Sequence, residues 1–413
     1  MSKIVIVGGG FGGVRAALDL SRRLKGHATI TLIDRSGYHL FYPSLYEIAS
    51  AYRSDTDPYS LELRRAVTVP LNHIFSGTGV DVVQAEVSQI DLARQIVGSH
   101  AGGVWPYDYL IMGLGTEAAD FGIRGVGEYA YLFKSVEHAL MINQRLQTIF
   151  YEAEHGQRVM PLHIVVAGGG FTGVELAAEI ASCASKLAKI CGLASHCFYV
   201  SIVESGKVLK MLNDAEQAVM RRRLTKLGVA LMENVQVSEV SDGMVKLRDG
   251  RHLKSDMTIW TAGARPHQLL SKIPGLELAP QGKIAVDEYL RIRHVTNVFA
   301  VGDTIEFIDP VTNQPEGAQA YIAIEHGATA ADNILRSIWR HPLRKHRPPA
   351  MVWVAPGGGK FALAHLWKGV RISGFFGWIL REIIDLRYFL TILPVKKAFQ
   401  IFWHQTHEFT KND

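Results

Sequence analysis

The chain has 413 residues, of which 48% are hydrophobic, so it is long enough for two or three domains with sizeable cores. Its net charge is +5, and the basic residues are scattered without interleaved aromatics, which predicts no nucleic-acid partner. No uncharged apolar run reaches the 18 residues of a membrane-spanning helix, and a strand predicted from Lys3 leaves no room for a signal peptide.

The first predicted unit joins a short apolar strand to a glycine-rich turn. Gly8, Gly10 and Gly13 follow the apolar run 3–7 in G-x-G-x-x-G spacing. In this motif the first glycine permits a tight bend, the second lets the backbone approach a pyrophosphate, and the third lets the helix pack closely on the strand. The next predicted strand ends at Asp34, where a carboxylate accepts from a ribose hydroxyl. The unit therefore predicts a dinucleotide site, with its phosphates at a helix N-terminus.

A second copy of this signature begins 160 residues later. Gly168, Gly170 and Gly173 follow the apolar run 163–167, and the next predicted strand ends at Glu204. Two copies in one chain predict two dinucleotides, typically a flavin beside a nicotinamide. A carboxylate at Glu204 repels a 2′-phosphate, which favours NADH over NADPH, whereas Lys207 nearby would attract one. The alternative is that both turns are ordinary strand–turn–helix units with surface acids.

The order of the segments predicts one nucleotide domain inserted in another. After the second unit, the apolar strand 297–301 delivers Gly302 and Asp303 at its carboxyl end, which faces the ligand crevice of an open α/β sheet. Asp303 is therefore expected on the ribityl chain of a flavin. The predicted fold is α/β with two Rossmann-like dinucleotide-binding domains and a helical C-terminal segment. The predicted bounds are 1–115 and 266–340 for the flavin domain, 116–265 for the nicotinamide domain and 341–413 for the C-terminal segment.

Two further stretches constrain the chemistry. Segment 340–349 is rich in Arg, Lys and Pro, which predicts an exposed basic linker. The three cysteines, Cys183, Cys191 and Cys197, form no C-x-x-C pair after the first unit, where flavin disulfide reductases carry their redox dithiol. Reduced thiols in a cytosolic setting are expected, and no metal site is predicted.

The pattern in the tail of the chain predicts two amphipathic helices. In the first, four charged side chains interrupt an apolar run. In the second, Phe399, Phe402 and Trp403 share one helical face, and Lys396 and Lys397 lie off it, which is the pattern of an interfacial helix. This predicts attachment to a membrane surface. The alternatives are a core helix packed on the flavin domain or a contact with another subunit, which leaves a homodimer open.

These features together resemble the type II NADH dehydrogenases, the non-proton-pumping NADH:quinone oxidoreductases, essentially from end to end. Both glycine signatures, the segment 34–47, the stretch 173–177, the strand that ends at Asp303 and the tail 375–403 carry the likeness. The resemblance implies a peripheral, monotopic flavoprotein of respiratory electron transfer. It implies FAD and NADH as cofactors, a membrane quinone as acceptor and the cytoplasmic face of the cell membrane as location.

The resemblance also assigns residues to each ligand. Those implied for FAD are Gly8, Gly10, Gly13, Asp34, Pro43, Gly302 and Asp303. Those implied for NADH are Gly168, Gly170, Gly173 and Glu204. Lys360, which follows three glycines, matches a family position near the flavin.

Glu175 is the predicted catalytic residue. It follows the second glycine signature on the first turn of the predicted helix, and the resemblance places it near the nicotinamide and the flavin. A partly buried carboxyl with a raised pKa relays protons there. The alternative is a helix-start acid that the helix dipole favours.

One stretch departs from the family. The family's quinone-site helix carries an A-Q-x-A-x-Q pattern, whereas this chain has Ala320, Tyr321, Ala323 and Glu325, with tyrosine and glutamate in place of the glutamines. Quinone stays the expected acceptor, and its type is left open. Tyr321 and Glu325 are alternatively ordinary helix residues that pack on the flavin domain.

Two rival functions remain at this stage. A sulfide:quinone oxidoreductase shares the two-fold architecture, but it needs cysteines close to the flavin to carry sulfur, whereas the cysteines here lie in the second unit. Glu204 also favours a genuine NADH site. A protein of another class, a slowly turning flavin-binding redox sensor, would act through a partner that binds in a ligand-dependent way.

Overall fold

The computed structural model describes residues 1–51, 59–190 and 197–410, and two parallel five-stranded sheets form its centre. The predicted position Cys191 lies outside the described residues. The first sheet has the strand order Val298–Ala300, Tyr109–Met112, Ser2–Val7, Ala28–Asp34 and Val80–Gln84. The second has the order Ala130–Leu132, Met257–Trp260, Leu162–Ala167, Phe198–Val203 and Val229–Met232.

The two sheets draw on separate stretches of chain. Strands of the first sheet come from residues 2–112 and then from 298–300, and strands of the second come from 130–260. The antiparallel pair Thr116–Ala118 and Ala264–Pro266 lies where the chain passes between them. This arrangement agrees with the α/β fold of one unit inserted in the other. The predicted bounds near 115 and 266 stay a prediction.

Helices pack on one face of each sheet and a small antiparallel sheet packs on the other, so the strands are nearly continuous apolar runs. Each glycine signature opens a helix: the first glycine helix is Phe11–Leu24, and the second glycine helix is Phe171–Ile190. Three later helices are the return helix Ala320–Ile338, the tail helix Phe375–Ile392 and the terminal helix Val395–Thr410.

Shorter elements complete the fold. The other helices are Leu45–Ser50, Tyr59–Val67, Leu71–Ile74, Val126–Tyr129, Val136–Glu154 and Asp214–Lys226. Small antiparallel sheets comprise Val87–Asp91, Ile96–Ser99 and Val104–Pro106; Val237–Ser241, Met244–Leu247 and His252–Lys254; Trp353–Pro356, Ala362–His365 and Arg371–Gly374; and the pair Tyr38–Leu40 and Thr68–Pro70. The parallel pair is Ile284–Ala285 and Ile305–Glu306.

Glycines set the contact between the first glycine helix and the return helix. A Cβ on Gly327 would stand 2.2 Å from the carbonyl oxygen of Gly12. Real side chains do not approach a backbone so closely, so this crossing requires glycine. It brings the first turn of the return helix beside the first glycine turn.

The tail helix has a charged inner face and a mostly apolar outer face that also exposes Arg387. Its buried positions include Arg381, Asp385 and Phe389, whereas Phe376 and Ile383 are exposed. The fully buried Phe389 belongs to the core around the first sheet. The tail is therefore a core element, as one of the sequence alternatives proposed, and it also presents an exposed apolar surface. None of the described helices is long and apolar enough to cross a membrane.

The terminal helix follows the predicted pattern in part. Phe399 and Trp403 are exposed, whereas Phe402 packs against the core around the first sheet. The prediction of an exposed basic linker over 340–349 is wrong at one position, because His346 is buried.

We expect Phe389→Ala to lower the free energy of unfolding by roughly 3–5 kcal/mol, because it empties a fully buried ring position. Phe376→Ala is the matched control on the same helix, since this ring is 72% exposed, and we expect it to stay within about 0.5 kcal/mol. Denaturant unfolding at a fixed FAD concentration measures both. Equal effects of the two substitutions would contradict the core assignment of the tail helix.

Candidate active site

Two cavities run along the two glycine turns and share one wall. The first, of about 1270 Å³, follows the first glycine turn, and the second, of about 570 Å³, follows the second. Tyr42, Lys134, Thr172 and Ala264 line both. Ligands in the two cavities would therefore meet at this shared wall.

Both glycine turns have the same backbone geometry. Gly8 and Gly168 have φ values of 108° and 116°, which side chains rarely adopt. A Cβ on Gly13 would lie 1.9 Å from the carbonyl oxygen of Gly8, and one on Gly173 would lie 2.0 Å from that of Gly168. These four glycines are required by the turn itself, as the motif predicts.

The middle glycines face open space. A Cβ built on Gly10 or on Gly170 meets no atom within 4 Å, and both residues line the cavities at the start of a helix. Unpaired N–H groups at a helix start attract phosphate. Each turn thus has the open, N–H-lined surface that the pyrophosphate of a dinucleotide needs, and the residues present fit FAD in the first cavity.

The two predicted acids bind the turns in the same way. Asp34 accepts a hydrogen bond from the backbone N–H of Gly9 at 2.7 Å. Glu204 accepts one from the N–H of Gly169, also at 2.7 Å, and a second from that of Gly206 at 2.8 Å. Each carboxylate therefore lies at the carboxyl end of its strand and beside the turn, where the ribose of a bound dinucleotide would lie.

Cations also line the second cavity. Lys207, Lys210 and Arg248 share its wall with Glu204. Of these four residues, the sequence motif predicts only Glu204 as a ligand contact. Arg248 comes from a distant part of the chain, so no local spacing indicates it.

The shared wall holds side chains that the motifs alone do not reveal. The Tyr42 hydroxyl is hydrogen-bonded to the Thr172 side chain, and burial, with Glu175 and Asp303 nearby, raises its pKa. The Lys134 ammonium lies 4.9 Å from the centroid of the Tyr42 ring. Burial lowers the pKa of Lys134, and Asp303 opposes that shift. Position gives only a weak signal: Tyr42 precedes the predicted Pro43, and Thr172 lies inside the second signature.

Glu175 lies one turn into the second glycine helix and faces a buried arginine from the tail. Burial raises the pKa of Glu175 to about 8, while the Arg381 guanidinium lowers it and Glu47 raises it further. Arg381 is only 6% exposed; it donates to Glu47 Oε1 at 2.7 Å and to Ser44 Oγ at 2.8 Å. The C-terminal segment therefore contributes a fixed positive charge to the surroundings of the predicted catalytic acid.

The same guanidinium faces two more carboxyls on its own helix. Asp385 lies 3.6 Å from it and Glu382 lies 3.7 Å from it. Burial raises the pKa of Asp385 to about 7 and also raises that of Glu382. A buried arginine is stable only with such partners, because an unpaired buried charge is costly.

The predicted quinone residues separate into two groups. Ala320 and Ala323 line the first cavity at the start of the return helix. Tyr321 is half-buried, and its hydroxyl accepts from the backbone N–H of Val352. Glu325 is exposed and lines neither cavity. The structure thus brings the two alanines, but not Glu325, to the glycine turns.

Lys360 lies away from both cavities. Its side chain is exposed, and its ammonium stands 5.8 Å from the ring centroid of Trp378 on the tail helix. Pro43, Gly302 and Asp303 do line the first cavity, as predicted for FAD contacts.

A buried carboxylate and two histidines form a triad behind the turn at Gly302. Glu316 Oε2 lies 2.9 Å from His326 Nε2 and 3.0 Å from His346 Nε2. The N–H of Gly302 donates to His326 Nδ1 at 3.2 Å, so the His326 proton lies on Nε2 and points at the carboxylate. Although burial raises the pKa of Glu316, the two histidines bring it to about 2.

The tautomer of His326 decides whether the triad is a metal site or a hydrogen-bonded support. The three ligand atoms lie within 4.8 Å of one another, a spacing that also suits a metal ion. A metal needs the Nε2 lone pair, whereas His326 directs its proton to that point because Gly302 occupies Nδ1. We therefore interpret the triad as a hydrogen-bonded support for the Gly302 turn.

Comparison with known proteins agrees with this site. Residues 2–327 match the pyridine nucleotide-disulphide oxidoreductase family. The chain is 30% identical to the type II NADH:quinone oxidoreductase Ndh of Mycobacterium tuberculosis over 94% of this chain and 84% of that protein. It is 28% identical to the type II NADH:quinone oxidoreductase of Haemophilus influenzae, over 84% and 83% of the two chains.

Solved structures share the fold. NDH2 from Plasmodium falciparum in complex with NADH superposes with a TM-score of 0.83 at 19% identity, over 98% of this chain and 97% of that one. The sulfide:quinone oxidoreductase of Aquifex aeolicus gives a TM-score of 0.79 at 18% identity, over 96% and 92%. At these identities the superpositions establish the fold alone, and the sequence relatives identify the family. The chain belongs to the type II NADH:quinone oxidoreductases, a group within the pyridine nucleotide-disulphide oxidoreductase family.

Proposed function

We propose that this chain is an FAD-dependent NADH:quinone oxidoreductase that reduces a membrane quinone without pumping protons. The observation that carries the proposal is the wall shared by the two glycine-turn cavities. Hydride transfer needs two rings held in contact and shielded from water, and a shared wall between two dinucleotide sites provides that arrangement.

In the first cavity, the chain's own residues supply what FAD requires. The open backbone at Gly10 and the start of the first glycine helix hold the pyrophosphate, Asp34 accepts from the ribose and Asp303 holds the ribityl chain. Bound there, FAD supplies the hydride acceptor and the electron donor of the reaction. The start of the return helix at Ala320 offers unpaired N–H groups to the same cavity.

In the second cavity, Gly170 faces the pyrophosphate of NADH, and Glu204 accepts from its ribose. A 2′-phosphate at this point meets the carboxylate of Glu204, so NADPH binds poorly. Thr172 and Tyr42 then form the wall between the nicotinamide and the first cavity.

Glu175 is proposed as the proton-relay residue. With a pKa of about 8, this carboxyl holds its proton at neutral pH, and reduction of a quinone consumes two protons. Arg381 lowers the pKa of Glu175 and Glu47 raises it. The acid can therefore release and regain a proton near neutral pH.

We propose that the quinone approaches from a membrane to which the tail binds at the cytoplasmic face. The outer sides of the tail and terminal helices carry eight exposed large apolar side chains. They are Phe375, Phe376, Ile383, Ile384, Leu390, Val395, Phe399 and Trp403. Lys396 and Lys397 flank this surface and favour anionic lipid. A homodimer that buries the same surface is the competing arrangement.

A sulfide:quinone oxidoreductase is the second candidate, since it shares the fold. Cys183 and Cys197 are both buried, and neither lines either cavity. Among the described residues, no cysteine lies where sulfur would have to meet the flavin. This observation favours NADH as the electron donor.

The direct test is anaerobic rapid mixing of the FAD-loaded protein. We expect NADH to bleach the flavin absorbance quickly and a quinone to restore it, whereas NADPH acts slowly. Glu204→Ser should narrow the NADH preference by roughly tenfold to a hundredfold, because it removes the charge that repels a 2′-phosphate. The FAD content of the variant serves as the control and should not change. If sulfide bleached the flavin and NADH did not, the protein would be a sulfide:quinone oxidoreductase instead.

For Glu175→Gln we expect FAD and NADH binding to persist and quinone turnover to fall by roughly a hundredfold or more. In the wild type, turnover should decline as pH rises through about 8, where the carboxyl loses its proton, and the variant should lack that decline. Glu179→Gln, one turn further along the same helix, is the matched control and should keep it. Steady-state rates from pH 5 to 9 supply the measurement, and an identical profile in Glu175→Gln would remove the relay role.

The raised pKa of Glu175 also fixes the sign of a stability effect. The unfolded chain releases this proton near pH 4.5, whereas the folded chain holds it to about pH 8. The free energy of unfolding therefore gains from Glu175 at low pH and loses that gain as pH rises between these values.

Replacing Phe376 and Trp403 together with serine should weaken binding to anionic phospholipid vesicles by roughly tenfold or more, because each buried ring contributes about 1.5–3 kcal/mol. Activity should fall with long-tailed quinones and persist with short soluble ones. Val311→Ser, at an 89% exposed position elsewhere, is the control. Vesicle flotation and light scattering measure the outcome: a smaller oligomer with unchanged flotation would assign the surface to a subunit contact.

A further inference from the structure

Two hydrogen bonds through the buried His39 ring link the tail helix to the first glycine turn. The Tyr388 hydroxyl lies 2.8 Å from His39 Nε2, and His39 Nδ1 lies 3.0 Å from the carbonyl oxygen of Gly9. The carbonyl only accepts, so the His39 proton must lie on Nδ1. His39 Nε2 then holds a lone pair, and the Tyr388 hydroxyl donates to it. Burial lowers the pKa of His39 to about 4, so the fully buried ring is neutral near pH 7.

The acceptor at the end of this hydrogen-bonded chain is the carbonyl of the peptide between Gly9 and Gly10, within the first glycine turn. The N–H of Gly9 is held by Asp34 and its carbonyl by His39. In a trans peptide the carbonyl and the following N–H point in opposite directions. A carbonyl turned toward the buried His39 therefore aims the N–H of Gly10 toward the open cavity, where a pyrophosphate would accept it.

The second glycine turn provides an internal comparison. Its equivalent carbonyl, on Gly169, accepts from the backbone N–H of Leu209 at 2.8 Å. Both turns thus hold the same peptide, but with different donors. In the second turn the donor is a backbone group of the same unit. In the first it is the side chain of His39, whose other ring nitrogen accepts from a hydroxyl of the tail helix.

The ring of Tyr388 is held independently of its hydroxyl. It stacks on Phe41 at a centroid distance of 5.5 Å and lies 5.1 Å from Phe11, which in turn meets His39 edge-on at 4.8 Å. Phenylalanine at position 388 would keep these contacts. Its substitution therefore isolates the hydrogen bond from the packing.

From this arrangement we infer that Tyr388 and His39 are positioning residues through which the tail helix fixes the phosphate-binding peptide of the FAD site. The inference rests on the proposed function, since it assumes FAD in the first cavity. Loss of the Tyr388 hydroxyl leaves the Nε2 lone pair without a donor, while the proton stays on Nδ1 because the Gly9 carbonyl accepts it. The ring then lacks its second hydrogen bond, and the hydrogen bond that orients the Gly9 carbonyl weakens.

The first test is Tyr388→Phe in the full-length protein. We expect the dissociation constant for FAD, measured by flavin fluorescence on apoprotein, to rise about threefold to tenfold. The dissociation constant for NAD⁺ should not change, because Leu209 holds the second turn. Tyr107→Phe is the matched control: it removes a buried hydroxyl that has no hydrogen-bond partner in the described part of the chain, and FAD affinity should persist.

Two substitutions of His39 separate positioning from general stability. In His39→Asn the side-chain amide lies near the former Nδ1 and still donates to Gly9, so FAD affinity should stay within about twofold and Tyr388→Phe should add nothing. In His39→Gln the amide reaches the Nε2 position instead, and FAD affinity should fall at least as far as in Tyr388→Phe.

Unchanged FAD affinity in Tyr388→Phe would overturn the inference, and so would a full additional loss when it is combined with His39→Asn. An equal loss of NAD⁺ affinity would do the same, since it indicates a global effect. If the wild type takes up no FAD at all, the proposed function fails first and the inference fails with it.

Discussion

The close approach of a helix to the strand before it is the constraint on which this structure depends. At Gly13 and again at Gly173, a side chain would collide with the carbonyl oxygen of the glycine that opens the turn. Without that approach the helix start moves away from the strand end, and the acid at the end of the next strand no longer reaches the turn. Each dinucleotide site therefore begins with a contact that only glycine permits, and the shared wall between the cavities follows from repeating it.

The parts of the fold and of the site that follow from the sequence are those that such local contacts govern. The glycines of both turns lie where spacing predicts, and Asp34 and Glu204 lie at the ends of the strands predicted for them, because strand, turn and helix form over a few residues. Lys134 and Arg248 escaped prediction, since they reach the cavities through contacts between distant segments. Lys360 is a different case: the resemblance to the family implied a position near the flavin, and in the structure its ammonium lies over the Trp378 ring, away from both cavities.

The tail shows why pattern alone was ambiguous. Charged residues that interrupt an apolar helix usually mark its solvent side, yet Arg381 and Asp385 lie inward and Phe376 lies outward. The inward charges become intelligible only with Glu47, which is more than 300 residues away and forms an ion pair with Arg381. A hydrophobic pattern reports how much of a helix avoids water, and it does not distinguish protein from lipid as the cover.

A helix that buries its charged side chains and exposes its apolar ones has consequences for folding and for function. When the tail helix is not packed on the rest of the chain, its charged face has no partners. Its burial therefore depends on the network around Arg381. Its apolar face stays exposed after folding and needs another cover, for which a membrane surface is our proposal. The same helix carries Arg381 toward Glu175 and Tyr388 toward His39. Whatever covers the outer face therefore acts on a rigid element that already contacts both the catalytic acid and the turn that holds FAD.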